Sequence, residues 1–133
     1  MLAGKKAKLF RIVREKLEDE TVFVEGAKDV KAIAEAGFSA DAIAVNAQRP
    51  ESVVEKRRLQ IAGKNVLLLF DFDEEGRRKA REYGEIMSAA GGRIDEGARK
   101  AFRALFRLRS IEELPHAVNE LKKEFGMELI GNG

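Results

Sequence analysis

At residues 66–76 the sequence reads Val66-Leu67-Leu68-Leu69-Phe70-Asp71-Phe72-Asp73-Glu74-Glu75-Gly76. The apolar run at its start is typical of a strand that is buried on both faces of a parallel sheet. Asp71 and Asp73 flank Phe72, so an extended backbone directs both carboxylates to the same side. Asp73 can also cap a helix that begins at Glu74. The segment therefore predicts a strand, an acidic loop and a helix in succession.

An earlier strand pattern also ends in acidic residues, in the run Thr21-Val22-Phe23-Val24-Glu25-Gly26-Ala27-Lys28-Asp29. Open α/β sheets bind ligands at the carboxyl ends of their strands. If the two strands are neighbours, Glu25 lies close to Asp71 and Asp73. Clustered carboxylates repel one another unless a cation lies between them, and oxygen ligands suit Mg²⁺. The two runs together predict a metal-dependent site for phosphate chemistry.

The rest of the chain alternates between strand and helix patterns at spacings of roughly 20 residues, which is the rhythm of a parallel sheet covered by helices. We expect one α/β domain over residues 1–133, with a roughly four-stranded, mostly parallel sheet. A core would span residues 20–95, between an N-terminal helix over 1–19 and C-terminal helices over 96–133. Strands are predicted at 20–25, 41–45, 65–70 and 92–95, helices at 3–18, 27–36, 50–62, 74–90, 97–109 and 115–125, and a short strand or a frayed end at 127–133.

Composition excludes several classes of protein. The chain has no Cys, which rules out disulfides, thiolate zinc sites and a cysteine nucleophile. No apolar run approaches the ~18 residues of a membrane span, and the N-terminus lacks the apolar core of a signal peptide. The net charge of +2 is too small to indicate nucleic-acid binding by itself. A cytoplasmic protein without a membrane partner is expected.

The Glu25–Val30 motif, followed after roughly forty residues by the D-x-D-x-x-G pattern of Asp71 to Gly76, resembles a Toprim domain. This catalytic core is shared by bacterial primases, topoisomerases, OLD-family nucleases and the ribonuclease that matures 5S rRNA. The resemblance covers residues 20–95. It implies that Glu25 is a general acid/base or metal ligand and that Asp71 and Asp73 hold one or two Mg²⁺ ions, with Mn²⁺ as a substitute. Glu75 is a further candidate ligand.

Two branches of that family do not suit this chain. Topoisomerases need a nucleophilic Tyr, commonly on a separate domain, whereas Tyr83 is the single Tyr and falls within a predicted helix. Primases need a zinc-binding module and a further catalytic subdomain. The chain is therefore similar to the small stand-alone Toprim proteins grouped with the 5S rRNA maturation ribonuclease. That similarity implies Mg²⁺-dependent phosphodiester cleavage of nucleic acid, with RNA favoured over DNA.

Several residues near the acidic runs are candidates for substrate binding. The glycines of the two motifs allow close backbone approach, and the cations could hold phosphates: Gly26, Lys28, Arg49, Gly76, Arg77 and Arg78. Asp29 joins them, although an acid in the first turn of a helix is also favoured by the helix dipole. The alternative for Lys28 and Arg49 is that each is a solvated charge on a loop and binds no substrate. Cationic stripes at 77–81 and at Arg99, Arg103 and Arg107 favour contacts with a phosphate backbone.

Two alternatives to a nuclease stay open. A non-catalytic or partner-dependent module would keep the fold and bind nucleic acid, with a protein partner supplying the catalysis. Primase-like nucleotidyl transfer would use the same carboxylates and metal. The sequence leaves the substrate and the oligomeric state open.

Overall fold

The structure, a computed structural model, describes residues 3–125, so the prediction for 127–133 lies outside the described residues. Within this range, every helix is too short or too polar to cross a bilayer. The strands of the described chain are β1 (Thr21–Val24), β2 (Ala42–Ala44), β3 (Asn65–Leu68) and β4 (Arg93–Ile94). Its helices are α1 (Ala3–Asp19), α2 (Ala27–Glu35), α3 (Pro50–Lys56), α4 (Arg58–Ile61), α5 (Glu74–Ala89), α6 (Glu96–Phe106) and α7 (Leu114–Phe125).

The four strands form one sheet in the order β2-β1-β3-β4, and every neighbouring pair is parallel. The predicted α/β class with a four-stranded parallel sheet is confirmed. After β1 the chain moves outward to β2, then returns to place β3 on the other side of β1. The strand order therefore reverses between β1 and β3, and open α/β sheets bind ligands at such a switch point. Glu25 follows β1 at this point, and the acidic loop follows β3.

Alternating side chains of the central strands build a core on each face of the sheet. Val22, Val24 and Leu67 face one way, where α1, α2, α6 and α7 cover them. Phe23 and Leu68 face the other way, toward α3 and α5. Because both faces are covered, the continuous apolar run of β3 is the pattern that a buried parallel strand requires.

Two helices end earlier than the sequence pattern predicts. The helix expected over 50–62 is interrupted at Arg57, which divides it into α3 and α4. The helix expected over 97–109 stops at Phe106, because Arg107 adopts the left-handed conformation with φ of 53°. The early stop turns the chain back toward the acidic loop, where Phe72 N donates to Arg109 O over 2.7 Å. That backbone bond places residues 109–111 beside Asp71.

A buried carboxylate lies at the start of β1. The Glu20 side chain is only 3% exposed, and Lys16 Nζ lies 3.3 Å from its Oε2. Within the described residues, neither of its oxygens has a hydrogen-bond donor in good geometry. Burial, with the nearby Asp95 carboxylate, raises the pKa of Glu20 to about 7. Glu20 therefore favours its protonated form more strongly in the folded than in the unfolded chain.

Replacing Glu20 by Gln is expected to stabilise the protein at alkaline pH. The pKa is raised in the folded state, so the stability that protonation of Glu20 contributes is complete in acid and is lost as the pH rises through about 7. Gln is neutral throughout and keeps a donor for Asp95, so we expect a gain of about 1–3 kcal/mol at about pH 8 and little change at about pH 4. Denaturant unfolding at both pH values measures this.

Glu15→Gln is the control for that experiment, since Glu15 is exposed on α1. The unfolding free energy of this variant should change between the two pH values by the same amount as that of wild type. If Glu20→Gln also leaves that difference unchanged, the buried carboxylate does not titrate as described.

Candidate functional site

An open cleft of about 780 Å³ lies at the carboxyl ends of β1 and β3. Glu25 and Asp71 form its floor, one from the end of each strand. The two acidic runs therefore lie close together, as predicted for neighbouring strands. The first turn of α2 and one side of α5 form two walls. Ser110 and Glu112, from the segment that follows α6, also line it. The loop from Val45 to Pro50, after β2, completes the lining, so the cleft combines five parts of the chain at the switch point of the sheet.

Glu25 and Asp71 are in direct contact across the cleft floor. The backbone N–H of Asp71 donates to Glu25 Oε2 over 3.3 Å, and Ile111 N donates to Asp71 Oδ1 over 3.1 Å. Burial, together with the charge of Glu25, raises the pKa of Asp71 to about 6, although the bond from Ile111 opposes it. The Glu25 carboxylate thus favours the protonated form of Asp71, and the Asp71 side chain contributes to lowering the pKa of Glu25.

Lys79 holds the other oxygen of Glu25. Its Nζ donates to Glu25 Oε1 over 2.7 Å and lies 3.8 Å from Glu75 Oε1. Burial alone would raise the pKa of Glu25, but the bonds from Lys79 and from the Asp71 backbone outweigh it and lower that pKa. Glu25 is therefore ionised while Asp71 resists ionisation. Lys79 was predicted only as part of the cationic stripe at 77–81. Its spacing of four residues from Glu75 indicated that the two side chains share a helix face.

Asp29 lines the cleft and also caps α2. Its side chain accepts from Gly26 N over 3.1 Å, and the residue is only 7% exposed. Burial raises the pKa of Asp29 despite that hydrogen bond, and the charge of Glu25 adds to the rise. The two roles that the sequence left open, structural and functional, are therefore compatible in one side chain.

Asp73 and Glu75 lie outside the set of residues that line the cleft. Asp73 Oδ1 accepts from Gly76 N over 2.7 Å, which is the N-cap of α5 that the sequence predicts. The Glu75 side chain is 68% exposed and pairs with Arg78 and Lys79. The alternation at 71–73 thus brings only Asp71 into the cleft, because Asp73 turns to begin the helix.

The candidate cations divide between different surfaces. Lys28 and Arg78 line the cleft, and Arg78 also bonds Glu82 Oε1 over 2.6 Å. Arg49 is exposed at the start of α3 and does not line the cleft. Arg77 faces away from it and donates to Phe72 O over 2.9 Å. The cleft therefore offers a substrate two of the four predicted cations, together with Lys79.

Arg99 has a positioning role that its sequence stripe did not reveal. Its guanidinium donates to three backbone carbonyls at the end of β3, those of Leu68, Phe70 and Asp71, over 2.6–3.0 Å. It also lies 4.3 Å from the ring centre of Phe72. These contacts fix the backbone from which the Asp71 side chain projects. A cation spaced at four-residue intervals gives no local signal of such contacts with a strand.

The cleft can be tested for its fit to Mg²⁺. Within residues 3–125, no three or more acidic or histidine side chains are arranged as a ready-made metal-binding group. Mg²⁺ is usually held by one or two carboxylates, with water and substrate phosphates completing its octahedron. Glu25 and Asp71 provide two such carboxylates at the ends of adjacent strands. This donor set fits Mg²⁺.

Comparisons with known proteins support the fold. No family model matches the chain, and no curated protein matches it. A solved structure of an Aquifex aeolicus protein, whose description names no activity, is similar with a TM-score of 0.65 and 27% sequence identity. The similarity covers 80% of this chain and 95% of the Aquifex protein. The chain therefore shares its architecture with that protein over most of its length.

Proposed function

We propose that this protein carries out Mg²⁺-dependent phosphodiester chemistry on nucleic acid in the cytoplasm, and that it cleaves RNA in preference to DNA. The observation that carries the proposal is the pair of carboxylates, Glu25 and Asp71, at the ends of adjacent parallel strands. The order of the motifs along these strands is the one that the Toprim resemblance implies. The cations of the cleft supply the complementary charge for phosphate oxygens.

The residues of the cleft divide the chemical work. Glu25, which Lys79 keeps ionised, is the group that would accept a proton from the attacking water. Asp71 would bind Mg²⁺ in its ionised form, and the alternative role for Glu25 is to complete the protein's share of the coordination. When bound, Mg²⁺ would supply neutralisation of the phosphate, activation of water and stabilisation of the leaving oxygen. Lys28 and Arg78 would hold the phosphates on either side.

A second candidate function is a nucleic-acid-binding module that relies on a protein partner for catalysis. The contact between Lys79 and Glu25 favours it, because an internal ammonium already neutralises one of the two carboxylates. Such a protein would keep the fold, the cleft and the metal, but the metal would not suffice for cleavage without the partner. The two candidates therefore differ in whether Mg²⁺ changes what the purified protein does to RNA.

Incubation of the purified protein with labelled, structured RNA and Mg²⁺ separates these candidates. We expect wild type to cleave RNA only when Mg²⁺ is present. Glu25→Gln should reduce cleavage by about 100-fold or more, since it removes the proton acceptor and one ligand. Gel analysis of the products measures the rate, and a parallel incubation with labelled nucleotides detects primer synthesis.

Glu55→Gln is the matched control, because Glu55 is exposed on α3 and lies outside the cleft. Its cleavage rate should equal that of wild type. Equal cleavage by Glu25→Gln and wild type would identify a contaminating nuclease, and no cleavage by either would favour the partner-dependent module.

A further inference from the structure

A second, strongly basic surface lies on the other side of the acidic loop from the cleft. Two cavities of about 310 and 480 Å³ adjoin there, since both are lined by Phe72, Lys100 and Arg103. We call this surface the basic groove. The side of α5 that turns away from the cleft forms one wall, and α6 with the segment after it forms the other. Its cations are Arg77, Arg81, Lys100, Arg103, Arg107 and Arg109.

Within residues 3–125, none of these six cations forms an ion pair with a carboxylate. Other cations of the chain do so, among them Lys16, Arg78 and Lys79. The acids at the groove are Asp95, which pairs with Lys16, and the exposed Glu96. The groove thus gathers six cations and two acids in a chain whose net charge is only +2. Such a concentration attracts polyanions.

The groove has a rigid base. Phe72 and the aliphatic side chains of Leu68 and Ile94 contribute its apolar floor. Arg99 is fixed there by its bonds to the β3 carbonyls, and its pKa is lowered to about 10 by burial and by the charges of Arg103 and Arg77. It is therefore still charged at neutral pH and adds to the positive potential under the groove.

At two places, residues that are neighbours in the sequence line the groove and the cleft. Asp71 lines the cleft, whereas its neighbour Phe72 lines the groove. Ser110 lines the cleft in the same way, and its neighbour Arg109 lines the groove. The groove and the cleft therefore meet at residues 71–72 and 109–110, so a polymer that passes around these loops can contact both surfaces. A small anion can occupy only one of the two surfaces, whereas a strand with a phosphate at every nucleotide can contact both.

We propose that the basic groove binds the phosphodiester backbone of an RNA strand, without regard to its base sequence, and delivers the strand to the cleft. The choice of RNA rests on the function proposed above, but the binding itself requires no metal. Phosphate contacts by Arg and Lys fix the position of a strand without reading its bases. They also make the affinity fall steeply as the salt concentration rises.

The test measures binding of fluorescently labelled RNA of about 20 nucleotides by anisotropy, in EDTA and over a range of salt concentrations. The variant Lys100→Gln/Arg103→Gln neutralises two exposed groove cations spaced three residues apart on α6. The matched control, Lys8→Gln/Arg11→Gln, removes two exposed cations with the same spacing on α1. Both pairs lie on helix surfaces, and circular dichroism confirms that each variant is folded.

We expect the groove variant to bind about 10-fold more weakly than wild type at about 100 mM salt, and the control to stay within about 3-fold. The slope of log K against log salt should become shallower by roughly 1.4 in the groove variant, at about 0.7 for each lost phosphate contact with a single strand. Equal weakening in both variants, or displacement of the RNA by polyglutamate at equal charge, would overturn the proposal. So would an absence of binding by wild type.

Glu25→Gln in the same assay keeps the two proposals separate. It should bind RNA at least as tightly as wild type does, because it leaves every groove cation in place and removes one negative charge from the cleft. RNA binding by a wild-type protein that does not cleave the RNA when Mg²⁺ is present would therefore refute the nuclease but leave the groove intact. Metal-dependent cleavage by a protein whose groove variant binds normally would refute the groove but leave the nuclease intact.

Discussion

Replacing Gly76 by Ala is expected to lower the free energy of unfolding by about 3 kcal/mol, the largest effect on stability that we predict for a single methyl group. A Cβ on Gly76 would lie 2.5 Å from the carbonyl carbon of Asp71 and 2.9 Å from its Cα, and closer still to the carbonyl oxygen. All three atoms are backbone and cannot rotate away. Either the first turn of α5 or the end of β3 must move, and this movement would also displace Asp71. Denaturant unfolding measures the loss.

Gly84→Ala is the matched control for that measurement, since Gly84 lies in the interior of the same helix. Its added methyl would meet Leu68 and Ile94 side chains at 3.6–3.9 Å, which is ordinary van der Waals contact. Because Ala favours a helix over Gly by about 1 kcal/mol, this variant should be as stable as wild type or more so. If Gly76→Ala were as stable as the control, the acidic loop would be able to move away from the added methyl group without lowering the free energy of unfolding.

Asp71→Asn is expected to have the largest effect on the metal response. We predict that it stabilises the metal-free protein by about 1–3 kcal/mol at about pH 8, and that it removes the rise in melting temperature that millimolar Mg²⁺ gives wild type. The pKa of Asp71 is raised to about 6, so its contribution to stability is complete in acid and is lost as the pH rises through 6. Asn stays neutral, accepts from Ile111 N and can donate to Glu25.

Thermal unfolding with and without Mg²⁺, at about pH 5 and about pH 8, checks this prediction. Asp73→Asn is the control, because Asn also caps helices well and Asp73 lies outside the cleft. It should keep the wild-type response to Mg²⁺. A wild type whose melting temperature ignores Mg²⁺ would contradict the shared-cation site. An Asp71→Asn protein that is less stable than wild type at alkaline pH would show that Asp71 serves the fold in its ionised form.

Local patterns predicted the architecture well, because the signals are local. The apolar run of β3 and the cap at Asp73 each depend on residues a few positions apart. Alternation of these elements then leaves few arrangements other than a parallel sheet. The contact between Glu25 and Asp71 was also predictable, since it needs only that their strands be neighbours. The prediction of this contact depended on the order of the strands and not on the positions of individual side-chain atoms.

The details of the site depend on contacts that no local pattern encodes. Asp73 was predicted both to share a metal with Asp71 and to cap a helix, and the sequence could not show that its Oδ1 would be taken up by the cap, outside the lining of the cleft. Lys79 reaches Glu25 across 54 positions in the chain, and Arg99 reaches the β3 carbonyls across about 30. In each case the residue type allowed several partners, and only the packing of α5 and α6 against the sheet selected one.

The bond from Ile111 N to Asp71 Oδ1 has a consequence for how the protein folds. It joins residues 40 positions apart, so the entropy of closing that loop opposes it until the intervening helices have docked. Asp71 gains this hydrogen bond only when the segment after α6 returns to the end of β3. Because Ile111 follows all four strands in the sequence, a ribosome completes every strand of the sheet before it adds the residue that positions the Asp71 carboxylate.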